Sequence, residues 1–156
     1  KRKIPLSELG SLEIQRKPLF LSIFLLAVFL LLEEFYFYVL GIEMPESFIE
    51  FMLAEPILLG FISVVVVAPI IEEFLFRGFL YSQLRRSFLR DWGAVAVSSL
   101  VWTAIHFQYE VGILFFLFLF GLFLGYFRIK YNSLLIPVAL HALNNLIAFI
   151  LTIYFP

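Results

Sequence analysis

The chain has 156 residues, of which 63% are hydrophobic, 19% aromatic and only 15% charged, and its mean hydropathy is +1.02. A soluble domain is nearer ~45–50% apolar and ~25% charged, and so short a chain has too much surface to hide the excess in one core. The net charge of −1 excludes the broad basic surface that nucleic acid requires, and the absence of cysteine excludes disulfides, thiolate metal sites and a cysteine nucleophile together.

Residues 1–17 contain Lys1, Arg2, Lys3, Arg16 and Lys17 and read as a polar cytoplasmic tail, followed by one transmembrane domain over 18–155. Pro18–Leu40 is the first apolar run. It reaches the roughly 20 residues that a spanning helix needs and exceeds the ~7–15 apolar residues of a signal peptide. Tyr36 and Tyr38 near its far end suit an interfacial aromatic belt. Gly41–Glu50 is an acidic loop with Glu43, Glu46 and Glu50. Phe51–Leu84, interrupted by Pro56 and Pro69, has no polar turn to divide it, and one tilted or kinked helix with an interfacial lead-in is expected. Trp92–Phe107 reads as a third span, with Gly93, Ala94, Ala96, Ser98, Ser99 and Ala104 permitting close packing. Val111–Phe127 and Ser133–Tyr154 complete a set of five.

All but one of the eleven Lys and Arg residues then fall in residues 1–17, Arg85–Asp91 and Arg128–Lys130, while the alternate loops carry Glu43, Glu46, Glu50 and Glu110. Under the positive-inside rule this separation places the N-terminus inside and the C-terminus outside. The fold class read from the chain is all-α: a polytopic transmembrane helix bundle of about five spans, multi-pass and integral to the cell membrane, with the bilayer as its first partner.

The remaining basic residue, Arg77, lies inside an apolar run beside Glu72 and Glu73. Each such residue costs at least ~2.5–3.5 kcal/mol on insertion scales, so three within six positions call for a purpose. A salt bridge between Glu73 and Arg77, four apart on a helix, accounts for two of them and leaves Glu72 without a local partner. His106 stands in the third span. His141 and Asn145 share a face of the fifth, and Asn144 points elsewhere. Counting ~1.5 Å per residue from the inner ends places Glu72 roughly 20 Å deep, His106 about 22 Å, His141 about 12 Å and Asn145 about 18 Å. Polar groups from three spans at such depths can meet in a cavity but not face lipid. Two carboxylates and two imidazoles then serve one of two chemistries. They can ligate a divalent metal, or a Glu can take a proton from water while His and Asn donors stabilise an oxyanion.

Glu72-Glu73-x-x-x-Arg77, Trp102-x-x-x-His106 and His141-x-x-x-Asn145, in that order and each in an apolar run, resemble the EExxxR, FxxxH and HxxxN motifs of the type II CAAX prenyl endopeptidases. These are also called the CPBP intramembrane proteases. The likeness covers roughly residues 56–148, with Trp102 in place of the usual Phe, an aromatic exchange expected to affect packing only. The resemblance implies a metal-independent glutamate protease without a cofactor. In it Glu72 and His106 would activate water, His141 and Asn145 would hold the oxyanion, and Glu73 would support the site through Arg77. The substrate it implies is a peptide or lipidated protein of the membrane, such as a prenylated CAAX-type protein. Three other readings compete: a membrane adaptor or bacteriocin-immunity-type protein without activity, a proton-coupled carrier, and a metal-dependent hydrolase at the same cluster. Intact motifs weigh against the adaptor, and the absence of an inverted repeat weighs against the carrier.

Overall fold

The computed structural model describes residues 10–11, 16–43, 45, 49–50 and 56–154. The expected tail over residues 1–9 and 12–15, the lead-in over 51–55 and part of the acidic loop lie outside the described residues. Five helices form the bundle: α1 (Arg16–Leu40), α2 (Ile57–Leu84), α3 (Arg90–Ala104), α4 (Val111–Tyr131) and α5 (Leu135–Tyr154).

Four of them, Pro18–Leu40 within α1, then α2, α4 and α5, are long and apolar enough to cross a membrane. The third is shorter than the expected span Trp92–Phe107, since α3 has 15 residues and stops at Ala104. That is about 22 Å of helix against a hydrocarbon core of about 30 Å. The cause is local. His106 N–H donates to Thr103 O, while the His106 ring Nδ1 takes Trp102 O at 2.9 Å, the carbonyl that the next α turn would have used.

Exposure is inverted relative to a soluble protein. Phe20, Leu31, Leu58 and Phe79 point outward, whereas Glu73, Arg77, Arg128, Ser99 and His141 are buried. Water would reject such a surface, and hydrocarbon accepts it. The chain is therefore an all-α, multi-pass membrane bundle. Its apolar centre joins Leu26 of α1, Trp102 of α3, Phe120, Leu124 and Phe127 of α4, and Ile136 and Leu140 of α5. Phe29 of α1 lies 5.2–5.7 Å, ring to ring, from Phe116, Phe120 and Phe123 of α4.

The tightest helix contact is between α3 and α4, where glycine stands in for a side chain. A Cβ on Gly121 would lie 2.8 Å from Ser99 Cβ and 3.1 Å from Arg77 Nη2, and one on Gly125 would overlap Val95. Small residues let the backbones approach where hydrophobic expulsion from water is absent. Gly125→Ala is expected to destabilise the bundle by roughly 1–3 kcal/mol, and Val95→Ala in the same chain to recover most of that. Thermal unfolding in detergent measures both; equal unfolding temperatures for wild type and Gly125→Ala would contradict the close contact.

Pro69 does not break α2. The helix widens instead into two π-helical segments, Ile62–Val67 and Phe74–Leu80, on either side of the α turn Ala68–Glu73. Near the C-terminal end of α4, Arg128, read from sequence among the charges that follow a helix, lies inside the helix and is fully buried. The helix continues to Tyr131 and closes on Asn132 in the left-handed region (φ 45°), which asparagine tolerates better than most residues. Ser11 pairs with this corner: Ser11 N–H donates to Asn132 O at 2.7 Å, and Leu134 N–H to Ser11 O at 3.0 Å.

Candidate active site

The residues singled out from sequence gather at the meeting of α2, α3 and α5. Glu73 is fully buried, and its Oε1 accepts two hydrogen bonds, from Arg77 Nη1 at 2.9 Å and from His141 Nδ1 at 2.9 Å. The expected Glu73–Arg77 ion pair thus forms, with a second partner from α5. Arg77 also donates to Gly121 O at 3.3 Å, and its guanidinium lies 4.9 Å from the centre of the Trp102 ring.

Glu72, adjacent in sequence, faces a different environment. Its side chain is 23% exposed, and its Oε2 accepts the Trp102 indole N–H at 2.6 Å. Trp102 is therefore more than the packing substitute expected from sequence: it supplies the partner that Glu72 lacked on its own helix. Trp102→Phe removes that donor while keeping an aromatic ring. Since a hydrogen bond to a charged group contributes ~1.5–3 kcal/mol, any activity that uses Glu72 is expected to fall at least roughly tenfold with little change in unfolding temperature. An activity equal to wild type would show that the indole N–H is not needed.

Two proton positions follow from which atoms can only accept. Trp102 O cannot donate, so His106 carries a proton on Nδ1, and Nε2 is the nitrogen left outside this contact. The same holds for His141, whose Nδ1 faces a Glu73 oxygen, and whose Nε2 lies 3.9 Å from Glu72 Oε2. That gap is too long for a direct hydrogen bond and suits a bridging group. His106 packs on the Trp102 indole at 5.1 Å and Trp102 on His141 at 5.5 Å, so one ring separates the two imidazoles.

Asn145 lies away from these carboxylates in its contacts. Its Nδ2 donates to Val64 O on α2 at 3.0 Å, and Asn144, the weaker candidate, donates to Asn145 Oδ1 at 3.4 Å. One of the two Asn145 N–H groups is engaged by Val64, and that contact fixes the plane of the amide.

Sequence reasoning passed over Tyr109, which stacks on His106 at 6.2 Å and 15° in the turn after α3. Burial pushes its phenol upward, a Gln108 hydrogen bond opposes this, and the nearby Glu72 charge raises it further. No motif signalled it, since a tyrosine in a short loop has many ordinary uses. Among the described residues no three of His, Cys, Asp and Glu are grouped to hold an ion. Glu73 Oε1 is already occupied by a guanidinium, a cation in the place a metal would take.

These features define a class: a multi-pass helical membrane protein with a buried carboxylate held by Arg and His, a partly exposed carboxylate next to it, and a second imidazole nearby. The family described as type II CAAX prenyl endopeptidase Rce1-like matches residues 54–147, a segment that includes Glu72, Glu73, Arg77, Trp102, His106, His141 and Asn145. The chain belongs to that family and has its CAAX-type intramembrane protease fold. It is also 36% identical over 87 residues to an Escherichia coli protein described as "Uncharacterized 24.3 kDa protein"; the alignment covers 54% of this chain and 40% of the relative. No solved structure matches the chain.

Proposed function

We propose that the protein is an intramembrane endopeptidase of the cell membrane, oriented with its N-terminus inside, that hydrolyses a peptide bond of a membrane-associated protein without a metal or other cofactor. The observation that carries this is the unequal setting of two adjacent carboxylates. Glu73 is buried and bound by Arg77 and His141, while Glu72 is partly exposed with one indole donor. Neighbouring groups in contrasting environments are how one site divides supporting and reacting roles.

In this reading Glu72 takes a proton from a water molecule that His106 Nε2 helps to orient. The hydroxide adds to the scissile carbonyl carbon, and the carbonyl π electrons move to oxygen. Asn145 donates its second N–H to that oxyanion, the first being held by Val64 O. His141, having taken a second proton from solvent before the peptide binds, joins it from Nε2–H with Glu73 as counter-ion to the imidazolium. Collapse of the intermediate breaks the C–N bond, and the proton on Glu72 passes to the departing amine.

Family membership supports a peptide that enters from the bilayer, and a prenylated CAAX-type sequence is the substrate of choice. The test uses purified protein in detergent with a quenched farnesylated CAAX-type peptide and the same peptide lacking the lipid. Cleavage of the farnesylated peptide at the bond after the modified cysteine is expected, with the unmodified peptide slower. Folded protein that cleaves neither would refute the substrate assignment and favour an adaptor role.

A further inference from the structure

The direction in which Glu72 and Glu73 point is set by the two π segments that flank them. A π turn takes up one residue more than an α turn, so the chain on one side is rotated by about 100° relative to an unbroken α-helix. Restoring α register on either side would swing the carboxylates away from Trp102 and His141.

Each π segment also leaves a backbone carbonyl without its helical donor. At the first, Ala68 N–H donates to Ser63 O, and the next donor in that register would be residue 69, a proline with no N–H. Val64 O is thereby orphaned, and Asn145 Nδ2 supplies the missing hydrogen. At the second, Tyr81 N–H donates to Phe76 O, and the return to α register at the next residue passes over Arg77 O. Arg128 Nε donates to that oxygen at 3.1 Å. A buried carbonyl without a donor is costly in a dry interior, so a side-chain donor at this point favours the π form over the α form.

Arg128 is firmly placed for this task. It is fully buried, its Nη1 donates to Asn132 Oδ1 at 2.8 Å, and its guanidinium lies 5.1 Å from the Tyr81 ring centre. The Gly10 backbone comes so close that a Cβ there would lie 3.0 Å from Arg128 Cζ. We propose that Arg128 is a positioning residue: by donating to the Arg77 carbonyl it holds the second π turn of α2, and so keeps Glu72 on Trp102 and Glu73 on His141. The catalytic part of this rests on the function proposed above; the geometric part does not.

Two substitutions separate the donor from the bulk and charge of Arg128. In Arg128→Gln the amide nitrogen occupies the place of Arg Nε and keeps the donation, while the charge and the Asn132 contact are lost. In Arg128→Met a methyl group occupies that place and donates nothing. Both are made in a Trp92→Phe background, so that Trp102, the other of the two tryptophans, reports on its bond to Glu72. Arg128→Gln should keep the Trp102 emission maximum and hold kcat within about threefold, whereas Arg128→Met should shift the emission and lower kcat at least about tenfold, with KM within about twofold. Equal behaviour of the two folded variants would overturn the proposal. If Arg128→Met does not fold, Arg128→Gln decides alone: unshifted emission supports the donor role and shifted emission refutes it. Should the parent protein cleave no peptide, the endopeptidase reading fails, and the emission comparison still tests the clamp.

Discussion

Glu72→Gln is expected to lower kcat by about 10²–10⁴-fold, the range over which a positioned general base acts, while the protein stays folded. Glutamine matches the shape of Glu72 and can still accept the Trp102 indole N–H through its amide oxygen, so packing and the 2.6 Å contact can persist. What it cannot do is take the proton of a water molecule. Because the side chain is 23% exposed and has no ion-pair partner on its own helix, little stability depends on its charge. The distinguishing result is therefore a pair of numbers: a collapsed kcat beside an unfolding temperature close to wild type. A kcat within about threefold of wild type would remove Glu72 from the mechanism.

Glu73→Leu should act in the opposite way, chiefly on stability. The Arg77 guanidinium is 1% exposed and its side-chain ion pair is with Glu73 Oε1, which also anchors His141. Removing one partner of a buried pair strands the other charge, a loss of ~3–5 kcal/mol. Glu73→Leu is thus expected to unfold at a clearly lower temperature than wild type or to accumulate poorly. The double substitution Glu73→Leu/Arg77→Leu removes the stranded charge and should recover much of the stability, because apolar replacements of a buried pair are often neutral. Activity should not return with it, since His141 has lost the acceptor that fixes its Nδ1 proton. A double variant no more stable than Glu73→Leu would contradict this division.

The contrast between these two glutamates explains how much of the site was legible in sequence. Charged residues inside apolar runs are conspicuous because the bilayer makes them costly, and the 3.6-residue period links Glu73 to Arg77 and puts His141 and Asn145 on one face. Spacing within a helix was therefore readable. The partners across helices were not: that Trp102 donates to Glu72, or that His141 anchors on Glu73 while Asn145 turns to Val64, depends on the rotation of each helix. That rotation is set by the π segments of α2, which have no compositional signature beyond Pro69. Arg128 shows the same limit. Counting charges assigns it to the inner face, and only the fold reveals that it ends on a backbone carbonyl of the site helix. The early end of α3 was hidden for a related reason: His106 caps its own helix with its ring, a choice that hydropathy does not register.

The central claim is that water, activated by Glu72 without a metal, cleaves the peptide. A single turnover of enzyme in excess over farnesylated CAAX-type peptide, run in ¹⁸O-water with a chelator present, tests it most directly. The expected result is one ¹⁸O in the new carboxyl group of the product, an unchanged rate with chelator, and no product from Glu72→Gln. A first-turnover product free of ¹⁸O would mean that a side chain attacks in place of water. A rate abolished by chelator and restored by added metal would replace the glutamate mechanism with a metal-dependent one.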